Sequence, residues 1–393
     1  MVSVGTMAME ESPRVDFDRM RRERRDRVFD AMAREGLDVL VLGREQNARY
    51  ASGVRRLWKA GTRPFSPRTV IVRSTGETHL MSTWQDGMPR EIPREHLYGM
   101  SWDPMSYVEA LGRIEGVSTA ARLGVDAMTP QWADLLRVAA PSAELVAAES
   151  TLRGLRLRKT ADEVACIRTA VAITEAALSS VADALRPGIR ERELVGIFDA
   201  RMTEFGVTIP AAEGPFCVLD GDARSGGPRR VVTDRTIEHG ELVSLCGGAL
   251  YGGYEGPLGR TWPCRSAGAH RVPAWQRDLH QRWLEVWGRL AEVCTPGATG
   301  ADLRAAYEAS GEPLPPYPIA FSVGLGYDAP IAGTSLGARF DAQWELEPGM
   351  VLAVQAAVAA PTAGYVGAET VLVTERGNEV LSTLWHGPLS EQA

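Results

Sequence analysis

The sequence predicts a mixed α+β protein of two domains, the second built from two similar halves, and three observations lead there. The chain has 393 residues, more than one average domain holds. Residues 16–155 alternate short apolar strands with helical stretches, the pattern of an α/β domain. Residues 156–393 contain a long-period repeat. With 45% hydrophobic and 24% charged residues, the chain has the composition of a folded protein.

Residues 1–15 read as a flexible tail. From Asp16 the string DFDRMRRERRDRVFDAMAREG spaces Phe17, Met20, Val28, Phe29 and Met32 as one face of an amphipathic helix, the arginines forming its solvated face. LDVLVLG, RTVIVR and THLMS follow as strands, with helical stretches near 105–114 and 130–138. The second domain starts in TLRGLRLRKTADEVACIRTAVAITEAAL. Thr160 and Glu163 form a capping box, and helical periodicity runs to Leu185 before Pro187-Gly188 ends it. A second helix covers about 190–205 and stops at Gly206.

The repeat has an offset of 109 residues. Pro187-Gly188 with Leu194 recurs as Pro296-Gly297 with Leu303, GELVSLC (240–246) as GMVLAVQ (349–355), and Arg260-Thr261 as Glu369-Thr370. Three segments with one spacing imply a pseudo-twofold domain, each half running helix, helix, strands. A pocket between the halves would be lined by corresponding positions, such as Cys246 with Gln355 and Arg260 with Glu369.

Composition excludes several functions. A net charge of −7 argues against general affinity for nucleic acid or anionic membrane. All basic residues but Lys59 and Lys159 are arginine, and neither lysine sits in a P-loop or Schiff-base context. The five cysteines form no CxxC pair and the six histidines no HxH or HExxH motif, so neither a disulfide framework nor a zinc knuckle is expected. With no signal-like start and no apolar run of membrane length, a cytoplasmic protein is expected. The glycine pairs at 247–248 and 252–253 and the cluster at 324–326 lack the strand, turn and helix context of a phosphate cradle and read as turns.

The repeated halves, together with VSLCGGALYGGYEGPLGRT, FSVGLGYDAP, LEPGMVLAVQ, ETVLVTERG and the N-terminal GLDVLVLGREQNARYASG, resemble the creatinase, prolidase and aminopeptidase P superfamily across about residues 20–385. The resemblance implies a pita-bread C-terminal domain (156–393) with an internal pseudo-twofold repeat, preceded by a creatinase-type α/β N-terminal domain (16–155). It also implies a homodimer in which the N-terminal domain helps close a neighbouring subunit's site, where Trp58, Trp84 and Trp102 would supply an aromatic lid. Metal-dependent members hold two divalent ions with two aspartates, a histidine and two glutamates. Here those positions read Cys246, Pro257, Phe321, Gln355 and Ala368, with Glu369 one position on. No metal and no other cofactor is therefore expected. The histidine that serves creatinase without metal is matched by Arg229.

The candidate catalytic residues are Cys246, Glu255, Asp328 and Glu369. A thiol beside a cation is a nucleophile, and carboxyls in an apolar setting exchange protons near neutral pH. Candidate substrate-binding residues are Arg229 and Arg260, a carboxylate clamp, with Tyr254, Tyr327 and Gln355 as hydrogen-bonding groups. Arg260 with Glu369 also reads as a structural ion pair. The expected function is a metal-independent enzyme acting on a small molecule bearing a carboxylate, amide or amidine, by C–N hydrolysis or a related elimination or cyclisation. The alternatives are a pseudoenzyme that binds without turnover and an Xaa-Pro-type metallopeptidase with atypical ligands.

Overall fold

A computed structural model describes residues 14–54, 69–81, 88–99, 104–207, 216–218, 232–266, 271–360, 363–384 and 386. The chain divides between Arg156 and Leu157 into two compact units.

In the first unit α1 (Phe17–Glu35) starts at Asp16, whose carboxylate accepts from the Arg19 amide at 2.9 Å, and stops at Gly36, which takes a left-handed φ of 65°. Then come β1 (Val39–Leu42), α2 (Glu45–Ser52), β2 (Thr69–Val72), β3 (Glu77–Met81), a 3₁₀ turn (Arg94–His96) and β4 (Leu97–Tyr98). The unit continues with α3 (Pro104–Gly112), β5 (Arg122–Val125), α4 (Pro130–Ala139), β6 (Glu144–Ala147) and α5 (Glu149–Leu157). The sheet runs β4-β3-β2-β1-β5-β6, parallel at β3–β4, β1–β5 and β5–β6 and antiparallel elsewhere. Val39, Val41, Val70 and Val72 pack one of its faces against Leu111 and Leu136 of α3 and α4.

The second unit contains α6 (Ala161–Ala184), α7 (Glu191–Glu204), β7 (Phe216–Val218), β8 (Leu242–Tyr251), β9 (Tyr254–Pro263), α8 (Ala274–Val293) and α9 (Gly300–Glu308). After these come β10 (Ala320–Gly324), β11 (Gly326–Ala332), α10 (Ala338–Asp341), β12 (Val351–Ala360), β13 (Ala363–Thr374) and β14 (Gly377–Val380). The strands form one antiparallel sheet, β11-β10-β12-β13-β9-β8-β7, with β14 added to β13. The 109-residue offset is structural: α6 and α8 end, and α7 and α9, β8 and β12, β9 and β13 begin, at that spacing. Gly252 and Gly253 turn β8 into β9 with φ of 56° and 85°, a conformation that suits two glycines.

Helices cover one face of this sheet. A Cβ added at Gly247 would lie 2.6 Å from the Phe198 ring of α7, at Gly256 2.5 Å from the Ala170 backbone of α6, and at Gly367 2.6 Å from the Trp283 indole of α8. Each glycine lets a helix sit against the strands, and the same face carries the Leu352, Val354 and Trp283 core. α6 is long and apolar enough to cross a membrane, but here it is a core helix whose Cys166, Ile167, Ala170 and Leu178 are buried.

Candidate active site

Strand register places the functional side chains. In an antiparallel sheet, directly paired residues share a face and each step along a strand changes face. Cys246 pairs with Gly259, Gly259 with Ala368, and Ala368 with Gln355, so one row crosses β8, β9, β13 and β12. Pro257 lies two residues from Gly259 on the same side, and Phe321 pairs with Ala353, two residues from Gln355. All five positions that the resemblance implies as metal ligands therefore stand on one face, opposite to the face packed by α6, α7 and α8.

The middle of that row has almost no side chain. A Cβ at Gly259 would lie 2.8 Å from Cys246 Sγ and 2.8 Å from the Ala368 amide, so the thiol leans over the glycine. Three strand spacings separate the Cys246 and Gln355 backbones, about 14 Å. Between them lie Gly259 and Ala368, both buried, flanked by a half-buried thiol and a half-buried carboxamide. Gln355 donates through Nε2 to the Pro318 carbonyl, which leaves its Oε1 as the acceptor. Hydroxyls on this face stitch the strands: Ser244 meets Thr261 at 2.6 Å, Thr261 donates to Val366 O at 2.7 Å, and Thr370 to Pro257 O at 2.6 Å.

Arg260 and Glu369 stand one step off this row and face the helices. They pair at 2.9 Å, both almost fully buried. Arg260 also donates through Nε and Nη2 to Leu384 O, through Nη1 to Gly259 O and Ala368 O, and through Nη2 to Ser382 Oγ, so every guanidinium nitrogen has a partner. Glu369 accepts from Ser382 Oγ and from His386 Nε2. Burial, opposed by Glu369, lowers the Arg260 pKa. Burial first, with Arg260 as a further cause, also lowers that of His386 against the hydrogen bond that its ring donates through Nε2–H to Glu369, which favours the neutral ring. Arg260 and Glu369 thus form a closed internal network on the helix side, the structural ion pair that the sequence also offers, and stand off the Cys246–Gln355 row. The reason is register: the ligand position is Ala368, and one residue further points through the sheet.

Two more candidates stand away from this row. Tyr254 is fully buried and donates to Glu163 Oε1 at 2.7 Å, fixing the β8–β9 hairpin to the start of α6. Glu163 also closes the predicted capping box, accepting from the Thr160 amide through Oε2 at 2.8 Å. Asp328 pairs with Ser322, whose hydroxyl lies 3.3 Å from Lys159 Nζ, and so stands with the helix-side residues. Glu255 does share the face of Cys246 and is buried, but it lies four residues from Gly259 along β9, about 13 Å away. Of the nine candidates, the structure brings Cys246 and Gln355 into one row. Arg229 and the tryptophans 58, 84 and 102 lie outside the described residues, as does the side chain of Tyr327. Sequence reasoning missed His386, which no spacing rule links to Glu369.

Comparison with known proteins agrees with this architecture. Residues 165–375 match the metallopeptidase family M24, and residues 24–158 the creatinase/prolidase N-terminal domain. The chain is 24% identical over 380 residues to a creatinase of Bacillus sp. (strain B-0618), covering 93% of this chain and 91% of that one. It is 23% identical over 371 residues to an Xaa-Pro dipeptidase of Pyrococcus horikoshii, covering 92% and 97%. Among solved structures, an Xaa-Pro dipeptidase from Bacillus anthracis superposes with a TM-score of 0.74 at 21% identity, over 93% of this chain and 98% of that one. Two domains matched in order, along nearly the full length of such relatives, make this chain a member of metallopeptidase family M24.

Proposed function

We propose that this protein is a metal-independent hydrolase that cleaves a C–N bond in a small polar molecule bearing a carboxylate, amide or amidine, and that its site is the row from Cys246 to Gln355. The observation that carries this reading is the donor set on that row. A dinuclear centre for hard divalent ions needs carboxylates and imidazole. The five cofacial positions offer one thiol, one carboxamide already hydrogen-bonded to Pro318, and three side chains with no donor atom. These residues do not fit two such ions.

In this reading Gly259 and Ala368 form the floor on which the substrate lies, and Gln355 Oε1 accepts an N–H from its amide or amidine. The Cys246 thiolate adds to the carbon of the scissile bond, the nitrogen leaves with a proton, and water then releases the acyl or amidino group from sulfur. A thiolate needs a cation or base beside it, and Arg229 is the residue the sequence offers. The protein is proposed to work as a cytoplasmic homodimer. A second reading, a binding module without turnover, draws on the placement of Arg260, Glu369 and Asp328 away from the row.

A panel of small carboxylates, amides and amidines assayed with the purified protein tests both. Turnover that survives exhaustive chelation and falls at least about 100-fold in Cys246→Ala supports the hydrolase. Saturable binding with no product supports the second reading. Activity abolished by chelation and restored by manganese or zinc, with two equivalents held in a manner sensitive to Cys246→Ala and Gln355→Ala, would overturn metal independence and favour an Xaa-Pro-type metallopeptidase with atypical ligands.

A further inference from the structure

In the N-terminal unit, three side chains that the proposed reaction does not use converge at one edge of the sheet. Glu77 and His79 are two residues apart on β3 and project from the same face. β3 pairs in parallel with β4 at Leu80–Leu97 and Met81–Tyr98, which brings the 3₁₀ turn ending at His96 alongside. Glu77 Oε2 is 3.4 Å from His79 Nε2, and Oε1 is 3.8 Å from His96 Nε2. The three groups can each present one donor atom within 4.8 Å of the others, and the two imidazole centroids are 4.1 Å apart.

The outer nitrogens are held in the way that metal-binding histidines require. His96 Nδ1 lies 3.2 Å from the Thr78 carbonyl, which only accepts, so the proton sits on Nδ1 and the Nε2 lone pair faces Glu77. His79 Nδ1 lies 3.4 Å from the Tyr98 hydroxyl. His79 is 3% exposed, and its Nε2, aimed at Glu77, has no hydrogen-bond partner. A buried ring nitrogen without a hydrogen-bond partner thus faces a carboxylate, with the Nε2 of a half-buried second imidazole beside it.

We propose that Glu77, His79 and His96 bind one divalent transition-metal ion, zinc by the chemistry of the ligands, in the N-terminal domain. Two imidazoles and a carboxylate are a borderline set that suits zinc over magnesium or calcium. Donor atoms of a tetrahedral zinc stand about 3.3 Å apart, so the 3.4 and 3.8 Å separations close by small side-chain movements. Glu77 is half-exposed, which leaves a fourth position for water. Thr78 O and the Tyr98 hydroxyl orient the two rings from behind.

The test is zinc titration of the metal-stripped full-length protein by calorimetry, with metal content measured after gel filtration. A single equivalent is expected, with affinity reduced at least tenfold in both Glu77→Ala and His96→Ala, whose positions are solvent-accessible enough to leave the fold intact. Tyr98→Phe is expected to weaken binding about tenfold by freeing the His79 ring. Cys246→Ala and Gln355→Ala leave the titration unchanged, so the result stands or falls separately from the proposed reaction. Absence of stoichiometric zinc in the wild-type protein, zinc retained at full affinity in Glu77→Ala and His96→Ala, or zinc lost in Cys246→Ala would each overturn the assignment.

Discussion

The two faces of the eight-stranded sheet differ by one residue in register and by nearly everything in chemistry. On the helix side the corresponding positions of the repeat, Arg260 and Glu369, meet each other and are tied to Ser382, Leu384 and His386. On the other side the corresponding positions Cys246 and Gln355 are held apart by Gly259 and Ala368. Ionised groups have been gathered where they bind the halves together, and the cleft row has been left with a thiol and an amide. Charge near an ancestral site is thus a poor guide to function unless its face is known.

The largest effect should come from breaking the helix-side network. Arg260→Met leaves the Glu369 carboxylate buried without its cation and should cost about 3–5 kcal/mol in chemical denaturation. Adding Glu369→Leu should recover part of that loss; additive losses would mean that the pair does not act as a unit. Next comes packing on the same face: Gly367→Ala drives a methyl into Trp283 and should lower stability by about 1–3 kcal/mol. No change in the midpoint would show that α8 is loosely seated.

Acid should expose the same contrast. Burial is the leading cause that lowers the pKa of both His280 and His386. Each ring therefore takes up a proton more readily in the unfolded chain, whose histidines titrate near about 6.5, than in the folded one. Stability conferred by the neutral rings is present above that pH and declines as pH falls below it toward the folded values. His386→Phe should flatten this decline in thermal melts recorded between neutral and mildly acid pH; an unchanged slope would assign it to other groups. The smallest effects belong to the cleft row. Cys246→Ser and Gln355→Ala should change stability by no more than about 0.5 kcal/mol while changing ligand binding or turnover. A large loss of stability would make these residues part of the core.

Much of this architecture is legible in the sequence because the duplication preserves register: one 109-residue offset locates helix ends and strand starts in both halves. The capping box at Thr160 and Glu163 is readable because its partners are local. The site was harder to read. Ala368 and Glu369 are neighbours in the chain, and only strand alternation, known once Ala368 is seen opposite Gly259, separates the cleft residue from the structural one. Tyr254 and His386 were not legible as structural residues, because their partners Glu163 and Glu369 are brought to them by tertiary packing. Glu77 and His79 lie within a strand, but His96 joins them only through the parallel β3–β4 pairing.

The lean of the Cys246 sulfur over Gly259 has a practical corollary. Burial pushes the Cys264 and Cys294 thiols up to about 11 and about 12, and Cys166 is enclosed by the core, whereas Cys246 is half-buried. A maleimide dye applied at neutral pH would therefore mark that spot ahead of those three, a reporter whose brightness would track guests arriving on the sheet before any product is known.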